Sequence, residues 1–485
     1  MQGLTRRGVL AALLSGAASG AWAKTKKKKL QTTAMAPAAA DLPAPEVLVS
    51  EANLSGQVSY ALADLKSGAL LQAMNADWPM PPASTAKTVT SLYALEHLGA
   101  EHRFATRLMA TGPLHDGRLE GDLLLVGGGD PTLTTDDLGD MAKALVAAGI
   151  RQVSGRFGVW AGALPFVEAI DPEQPCWLGF NPAICGLNLN FNRVNFVWER
   201  GADGYHLSFD ARAGRYAPAV SIARMQVEDR RTPVFTFARS EGREDWTVAS
   251  VALGKSGSRW LPVRRPEIYA GDVFRTLARA EGLDLPPAVV LGDLPQGQVL
   301  VTHQSQPLPM VLREMMKYST NMTAEAVGMA ASLTRGITSH DASAAEMTRW
   351  LADRLGQGGA RFVDHSGLGG ASRVTAAAMV AALAEVGQQA GLAGLMKEVH
   401  LAADRSKPAA TQARVLAKTG TLNFVSALVG YLTTADGQSR VFAILTGDEA
   451  RRDAVPDAQK ENPPGLRTWL ARSRRLQAQL LQKWA

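Results

Sequence analysis

Two predicted strand pairs stand at opposite ends of this chain, and this separation limits the folds that it can adopt. Residues 57–63 alternate between inward and outward side chains, 64–68 supply turn residues, and 69–74 return. Near the other end, 427–433 and 440–446 flank Asp436-Gly437, a dipeptide favoured in tight hairpin turns. Because both pairs have helical neighbours, they can join into one sheet. The sequence between them then forms a block inserted into a single domain.

Helical periodicity follows the first strand pair and precedes the second. Pro81-Pro82-Ala83 opens a predicted helix at 84–98, and Gly99 stops it. Further helices are predicted at 309–317, 322–333, 342–355, 376–386 and 466–484. The predicted fold class is therefore α/β of the mixed α+β kind, with an antiparallel sheet flanked by helices.

The block between residues 101 and 299 differs from both flanks in its predicted secondary structure. It contains many short strand-like runs, such as 123–126, 155–160 and 188–197, broken by Gly, Pro and Asp. We predict a β-rich inserted region with little long helix, divided into two small domains. The main domain then consists of 46–100 together with 300–485.

Positive charge is concentrated at the N-terminus. The chain has 51 Lys and Arg against 45 Asp and Glu, a formal net charge of +6 and a pI near 9.3. Arg6, Arg7, Lys24 and the four lysines 26–29 account for seven of these basic residues, which leaves 44 basic and 45 acidic residues from Leu30 onward. Without a basic excess in its body, the protein is not predicted to bind nucleic acid.

Residues 1–23 have the pattern of a secretory signal peptide. Arg6-Arg7 precede an apolar stretch at 8–18, and Ala21-Trp22-Ala23 provides an A-x-A cleavage site. We expect a secreted or periplasmic protein cleaved near Ala23, exported by either the general or the twin-arginine route; an uncleaved anchor is the alternative. No later stretch reaches eighteen uninterrupted apolar residues, so no stable transmembrane span is expected.

A basic linker follows the predicted cleavage site. Residues 24–45 begin with five lysines between Lys24 and Lys29 and continue as a stretch rich in Ala, Thr and Pro. The lysines can contact an anionic membrane or an acidic wall polymer. The alternative is a solvated tether with no partner.

Cys176 and Cys185 are the two cysteines of the chain. In an oxidising compartment a local disulfide is expected between them, and two buried thiols are the alternative. None of the eight histidines forms a pair at zinc-ligand spacing, so no metal site is predicted.

Three short motifs occur in a fixed order. They are Ser84-Thr85-Ala86-Lys87, Ser319-Thr320-Asn321 and Lys418-Thr419-Gly420-Thr421. At i and i+3 on a helix, Ser84 and Lys87 share one face, so the amine can reach the hydroxyl. The second motif interrupts two helices, and the third leads into the C-terminal hairpin, where Gly420 leaves room for a substrate backbone.

In this order the motifs resemble the signature of class A β-lactamases and penicillin-binding proteins. The chain is more narrowly similar to the low-molecular-mass penicillin-binding proteins that act as D-alanyl-D-alanine carboxypeptidase/endopeptidase. The long spacing between Ser84 and Ser319 is typical of that subgroup, and residues 127–133, 183–192 and 364–368 resemble further segments of it. His365 and Gly369 depart from the pattern, in which Gly and Ser are expected.

The resemblance implies a β-lactamase/transpeptidase-like catalytic domain and acyl transfer on a peptide ending in D-alanine. Ser84 is then the nucleophile, Lys87 its general base with a pKa lowered by burial and by Lys418, and Ser319 a proton relay. Asn321 would bind the amide of the substrate, and Lys418 and Thr419 would bind its terminal carboxylate. The substrate would lie beside Gly420 and Thr421. The backbone N–H groups of Ser84 and Thr421 would form the oxyanion hole.

No cofactor is required by this chemistry. The implied partners are peptidoglycan stem peptides, with β-lactams as covalent inhibitors. Two alternatives remain: a serine β-lactamase, which would share all three motifs, and a non-catalytic wall-binding scaffold. The long insertion and the absence of Glu-x-x-x-Asn after Ser319 disfavour the former, and the intact motifs disfavour the latter. A triad of Ser with the adjacent Asp364 and His365 is also disfavoured, since neighbouring residues rarely aim their side chains at each other.

Overall fold

A computed structural model describes residues 42–240, 242–400 and 413–485. The predicted signal peptide and the lysine cluster lie outside these residues. The helices are α1 Pro45–Glu51, α2 Ala86–Leu98, α3 Thr135–Ala147, α4 Pro266–Ala280, α5 Leu308–Tyr318, α6 Asn321–Leu333, α7 His340–Leu355, α8 Ala376–Ala381, α9 Glu449–Asp453 and α10 Leu466–Trp484. A π-helical segment, Ala382–Gly387, continues α8.

The strands are β1 Gln57–Asp64, β2 Leu70–Met74, β3 Ala105–Ala110, β4 Leu114–His115, β5 Arg118–Leu119, β6 Leu123–Val126, β7 Gln152–Val153, β8 Phe157–Trp160, β9 Arg193–Arg200, β10 Tyr205–Asp210, β11 Ala223–Glu228, β12 Phe235–Ser240, β13 Arg243–Ala249, β14 Ser256–Pro262, β15 Val289–Leu291, β16 Gln298–Gln304, β17 Ala360–Arg361, β18 Arg373–Val374, β19 Lys397–Glu398, β20 Arg414–Leu422, β21 Val425–Thr433 and β22 Ser439–Gly447. The hairpins and helices predicted outside the inserted block are all present.

One antiparallel sheet joins the two ends of the chain, as the separated strand pairs predict. Its strand order is β19-β20-β21-β22-β1-β2. The pairing of β1 with β22 runs without a break from Gln57 opposite Gly447 to Asp64 opposite Arg440. This pairing unites the first and last strand pairs in a single domain.

Helices cover both faces of this sheet. Because side chains alternate along a strand, neighbouring residues enter different cores. Ala61 and Ala443 face the core built with α2 and α5–α8, whereas Tyr60 and Ile444 face α1 and α10. Helix α2 lies inside the former core, and every residue from Ala86 to Ala94 is buried. The helix that begins beside Ser84 is therefore enclosed by the fold.

The inserted region leaves and re-enters the main domain through a strand pair. β3 and β16 are antiparallel neighbours at the edge of a five-stranded sheet of order β15-β8-β6-β3-β16. β16 extends to Gln304, so the inserted region ends a few residues beyond the predicted boundary at 299.

The inserted region contains helix that the sequence reasoning overlooked. It contains two long helices, α3 and α4, where little helix was expected. Thr134 and Asp137 form a reciprocal capping box at the start of α3, and Leu138, Met141 and Leu145 form its buried stripe. One continuous cluster of buried side chains runs from Leu108 to Leu285. The division of the region into two small domains stays a prediction.

The predicted disulfide is also not formed, because Cys176 and Cys185 are both free thiols. Cys185 is buried in the core of the inserted region, and its Sγ lies 3.1 Å from the Leu187 carbonyl oxygen. The Cys176 backbone carbonyl accepts a hydrogen bond from Arg264 at 2.7 Å. Both cysteines thus pack on the core of the inserted region without being bonded to each other. Among the residues that the structure describes, no helix has both the length and the apolar character needed to cross a bilayer.

Thiol titration distinguishes the two states of the cysteines. We expect two reactive thiols per chain in denaturant without any reductant, and an unchanged melting temperature when reductant is added. In the folded protein Cys185 should be protected, since burial raises the pKa of its thiol and excludes the reagent. A denatured, unreduced protein with no titratable thiol would contradict the structure.

Candidate active site

Ser84 lies in a short 3₁₀ turn, Ala83–Thr85, that leads directly into α2. The preceding Ala83 has a positive φ of 47°, an unusual backbone conformation for a residue with a Cβ. Buried Pro81 and Pro82 lead into the turn. The chain therefore bends sharply just before the predicted nucleophile, and Ser84 itself is only partly buried.

Two glycines let neighbouring backbone segments approach this turn. A Cβ on Gly420 of β20 would lie 2.8 Å from the Pro82 carbonyl oxygen and 3.0 Å from the Ser84 nitrogen. A Cβ on Gly367 would lie 1.9 Å from the Ala83 carbonyl oxygen. Gly420 was expected to leave room for a substrate. In the structure it also brings β20, and with it Thr421, up to the backbone of Ser84.

Lys87 is fully buried and has three hydrogen-bond partners. Its Nζ lies 3.1 Å from Ser84 Oγ, 2.8 Å from Asn321 Oδ1 and 2.7 Å from the Ser366 carbonyl oxygen. Burial lowers the pKa of Lys87 to about 8, against the opposing effect of the nearby carboxylates of Glu325 and Asp364. The predicted Ser84–Lys87 contact is present.

Ser319 and Asn321 occupy the junction between α5 and α6, as the motif predicts. Ser319 ends α5 in a left-handed conformation with φ of 58°. Its Oγ accepts a hydrogen bond from Lys418 Nζ at 2.9 Å. Asn321 begins α6, and while its Oδ1 accepts from Lys87, its Nδ2 donates to the Phe180 carbonyl oxygen at 3.0 Å.

Lys418 is the second buried lysine of the site. It lies on β20, and its Nζ also donates to the Thr419 carbonyl oxygen at 2.7 Å. Burial lowers the pKa of Lys418 well below its usual value, and the positive charge of Lys87 adds to this effect. Among the described residues, no carboxylate forms an ion pair with Lys87 or Lys418. Two serine–lysine pairs thus belong to one site, with the Asn321 side chain bonded to Lys87.

Three further residues of the site were given no role by the sequence reasoning, although Asp364 and Ser366 lie in the segment 364–368 that resembles the family. The Ser366 carbonyl contacts Lys87, and the buried carboxylates of Glu325 and Asp364 hold the loop that carries Ser366. Glu325 could have been found, because it lies four residues after Asn321 on an otherwise apolar helix and so shares the face of Asn321.

His365, which departs from the expected motif, is accommodated by a glycine on the facing helix. A Cβ on Gly328 of α6 would lie 2.2 Å from the His365 ring. The ring is fully buried, with Nε2 2.7 Å from Ser343 Oγ, and burial lowers the pKa of His365 to about 4. His365 points away from Ser84 into the helical core, which agrees with its exclusion from a catalytic triad.

The inserted region packs against the main domain beside the site. Leu164, Val167, Ile170 and Ile184 pack in one cluster with Met322, Ala326, Met329 and Leu368 of the main domain. Polar contacts join the same surfaces, including Trp177 Nε1 to Glu461 at 2.7 Å. Phe180, whose carbonyl binds Asn321, has a half-exposed side chain at this boundary.

Comparison with known proteins gives a consistent result. The sequence pattern of the D-Ala-D-Ala carboxypeptidase 3 (S13) family matches residues 46–468. A D-alanyl-D-alanine carboxypeptidase from an Actinomadura species is 29% identical over 452 residues, which cover 85% of this chain and 82% of that protein. The D-alanyl-D-alanine carboxypeptidase DacB of Haemophilus influenzae is 24% identical over 83% of this chain and 89% of its own length.

A solved structure has the same fold. The crystal structure of penicillin binding protein 4 (dacB) from Haemophilus influenzae superposes with a TM-score of 0.73 at 20% sequence identity, covering 90% of this chain and 99% of that one. The transpeptidase-like fold with its insertion is therefore shared.

Gly328→Ala tests the packing of His365. Alanine normally stabilises a helix interior relative to glycine, but here its Cβ would meet the His365 ring. We expect a loss of about 1–3 kcal/mol in the free energy of unfolding, measured in urea. In the Gly328→Ala/His365→Gly double variant the effect of the alanine should largely disappear. Gly358→Ala, where no atom lies within 4 Å of the new Cβ, is the matched control. A stabilised Gly328→Ala protein would contradict this packing.

Proposed function

The chain belongs to the D-Ala-D-Ala carboxypeptidase 3 (S13) family, and we propose that it acts through an acyl-enzyme on Ser84. It is a serine D-Ala-D-Ala carboxypeptidase/endopeptidase of peptidoglycan stem peptides and is acylated by penicillins. The observation that carries the assignment of residues is the hydrogen-bonded group of Ser84, Lys87 and Asn321 beside the Lys418–Ser319 pair.

Acylation begins with transfer of the Ser84 hydroxyl proton to Lys87. A serine hydroxyl is too weak an acid to attack an amide unaided, so a neutral amine at hydrogen-bond distance is needed. The lowered pKa of Lys87, about 8, leaves part of the population neutral at physiological pH. Ser84 Oγ then attacks the carbonyl carbon of the penultimate D-alanine. The oxyanion that forms accepts hydrogen bonds from the backbone N–H groups of Ser84 and Thr421.

Ser319 relays to the departing D-alanine amine the proton that Lys87 took from Ser84, so that the C–N bond breaks and both side chains regain their starting protonation. Its hydroxyl contacts Lys418 and stands on the junction that also carries Asn321. Water then attacks the ester, and the Lys87 and Ser319 pair works in the opposite direction to restore the free enzyme.

Lys418 is proposed to receive the carboxylate that ends the substrate, with the Thr419 hydroxyl beside it. Lys418 is buried, and its two contacts are neutral oxygens. An ammonium group in such surroundings gains strongly from an incoming anion. This selects a free C-terminus.

Asn321 is proposed to bind the substrate amide through its Nδ2. That group now donates to the Phe180 carbonyl, so a substrate amide would take the place of a contact that the inserted region makes. Gly420 keeps β20 close enough for the substrate backbone to lie between the strand and Ser84.

Export is part of the proposal. Residues 1–23 would direct the chain across the cytoplasmic membrane to the side on which peptidoglycan is accessible. The lysines at 24–29 would give weak electrostatic contact with anionic lipid or wall polymer. Secretion of a reporter fused to residues 1–30 would test the signal.

Penicillin should add once, to Ser84. Incubation with benzylpenicillin should raise the intact mass by one penicillin, and digestion should place the adduct on the peptide that contains Ser84. Ser84→Ala should give no adduct, while Ser366→Ala, which keeps the backbone carbonyl, should still react. An adduct on Ser319 or Ser366 would overturn the assignment of the nucleophile.

Lys418→Ala should change the substrate preference, whereas Lys87→Ala should abolish the reaction. Rates are compared on a peptide ending in D-Ala-D-Ala and on its C-terminal amide. Lys418→Ala should lose most of the preference for the free acid, because the carboxylate loses its cation. Lys87→Ala should be inert towards both substrates at any concentration, because proton transfer is lost. A Lys418→Ala protein that keeps the full preference would show that another residue binds the carboxylate.

A further inference from the structure

The hydrogen bonds of Lys87 fix the direction in which its amine can accept a proton. A neutral amine has two N–H bonds and one lone pair. Asn321 Oδ1 and the Ser366 carbonyl oxygen accept hydrogen bonds, so they take the two N–H bonds. The lone pair is then left for the third neighbour, the Ser84 hydroxyl, at 3.1 Å. The position of the Ser366 carbonyl thus decides whether the lone pair meets the proton that it must remove.

Two buried carboxylates hold the peptide groups on either side of Ser366. The Ser366 carbonyl shares its peptide plane with the Gly367 N–H, which donates to Asp364 Oδ1 at 2.5 Å. Asp364 also accepts the Gly369 N–H. Glu325 accepts the Ser366 N–H at 2.8 Å through Oε1 and the His365 N–H at 2.9 Å through Oε2.

Glu325 connects this loop to the helix of the second motif. It belongs to α6, the helix that begins with Asn321, and it is fully buried. Both acceptors of the Lys87 N–H bonds are therefore set by one helix: Asn321 directly, and Ser366 through the Glu325 carboxylate.

We propose that Glu325 is a positioning residue for the general base, holding the Ser366 carbonyl so that the free electron pair of the Lys87 amine is aimed at Ser84. This inference rests on the proposed acylation of Ser84. Glu325 contacts neither the substrate nor the reacting atoms. Its loss should slow the chemical step and leave initial binding of the ligand unchanged.

The charge of Glu325 gives this role a signature that a merely structural residue lacks. Four groups face it. His340 of α7 lies 2.9 Å from Oε2 and is itself next to Asp341. The others are Asp364 and His365 of the loop and Lys87 of α2. The negative charge of Glu325 favours the protonated form of Lys87 and so raises its pKa. Removing that charge lowers the pKa of Lys87, and the acid limb of the acylation rate then moves to lower pH.

The test uses the exported chain without its signal peptide and benzylpenicillin as the probe. The rate constant of acylation and the dissociation constant of the initial complex are measured from pH 5 to 10 for the wild type, Glu325→Gln, Glu325→Asp and Glu346→Gln. Glu346 is a buried glutamate of α7 that pairs with Arg335 and Arg349 and does not touch the loop, so its variant is the matched control.

Glu325→Gln cannot accept both backbone N–H groups and also bind His340. We expect its maximal acylation rate to fall by about 100-fold, since small misplacements of reacting groups cost rates of that order, with the dissociation constant unchanged. The acid limb of its acylation rate, plotted against pH, should move to lower pH. Glu325→Asp keeps the charge but shortens the side chain, so we expect a slower reaction with the acid limb in its wild-type place. Glu346→Gln should match the wild type.

The outcomes distinguish the positioning role of Glu325 from the proposed acylation of Ser84. A folded Glu325→Gln protein with the wild-type rate and pH profile overturns the positioning role, and so does an equal loss in Glu346→Gln. If Glu325→Gln does not fold, Glu325→Asp decides the question, because a wild-type rate in that variant overturns the role. A wild type that is not acylated at Ser84 would overturn the proposed function instead.

Discussion

Lys87 is buried and forms no ion pair with any residue that the structure describes, and this is the constraint on which the site depends. An ammonium group removed from water is costly, and the protein meets that cost with three oxygen acceptors and a lowered pKa of about 8. Each acceptor belongs to a different part of the chain: the turn before α2, the start of α6, and the loop before α8. The fold therefore has to bring these parts together around one amine, and glycines at 367 and 420 remove the side chains that would keep the backbones apart.

The inserted region is part of this arrangement as well. It leaves and returns through the β3–β16 pair, and the segment between Leu164 and Ile184 packs back against the start of α6. It hydrogen-bonds a motif residue, Asn321, through a backbone carbonyl, that of Phe180. The side chain at position 180 can therefore change while the hydrogen bond to Asn321 is kept.

Much of the main domain could be predicted from the sequence because local patterns decide it. The terminal hairpins carry alternation and turn residues, and the helices carry apolar periodicity with clear stops such as Gly99. The contact of Ser84 with Lys87 followed from their spacing on a helix, and the other site residues were implied by the resemblance that the three motifs carry. Two expectations failed for different reasons. The capping box of α3 is a local signal that was overlooked among short strands. The two cysteines are close in sequence and pack on the same core, yet they remain free thiols, and this pairing is decided by tertiary geometry. The roles of Glu325 and Asp364 could not be inferred, because they act on backbone N–H groups that sequence patterns do not display.

The β1–β22 pairing has a consequence for how the chain reaches this state. Gln57 finds its partner only when Gly447 is available, so the central sheet has to wait until nearly the whole chain has been made. The inserted region has no such dependence, because its sheet and its buried cluster use only residues within its own boundaries. It can fold while β1 and β2 are still exposed as an unpaired edge. Folding of the main domain is therefore expected to be late and slow, with loop closure over almost the full length as the limiting event.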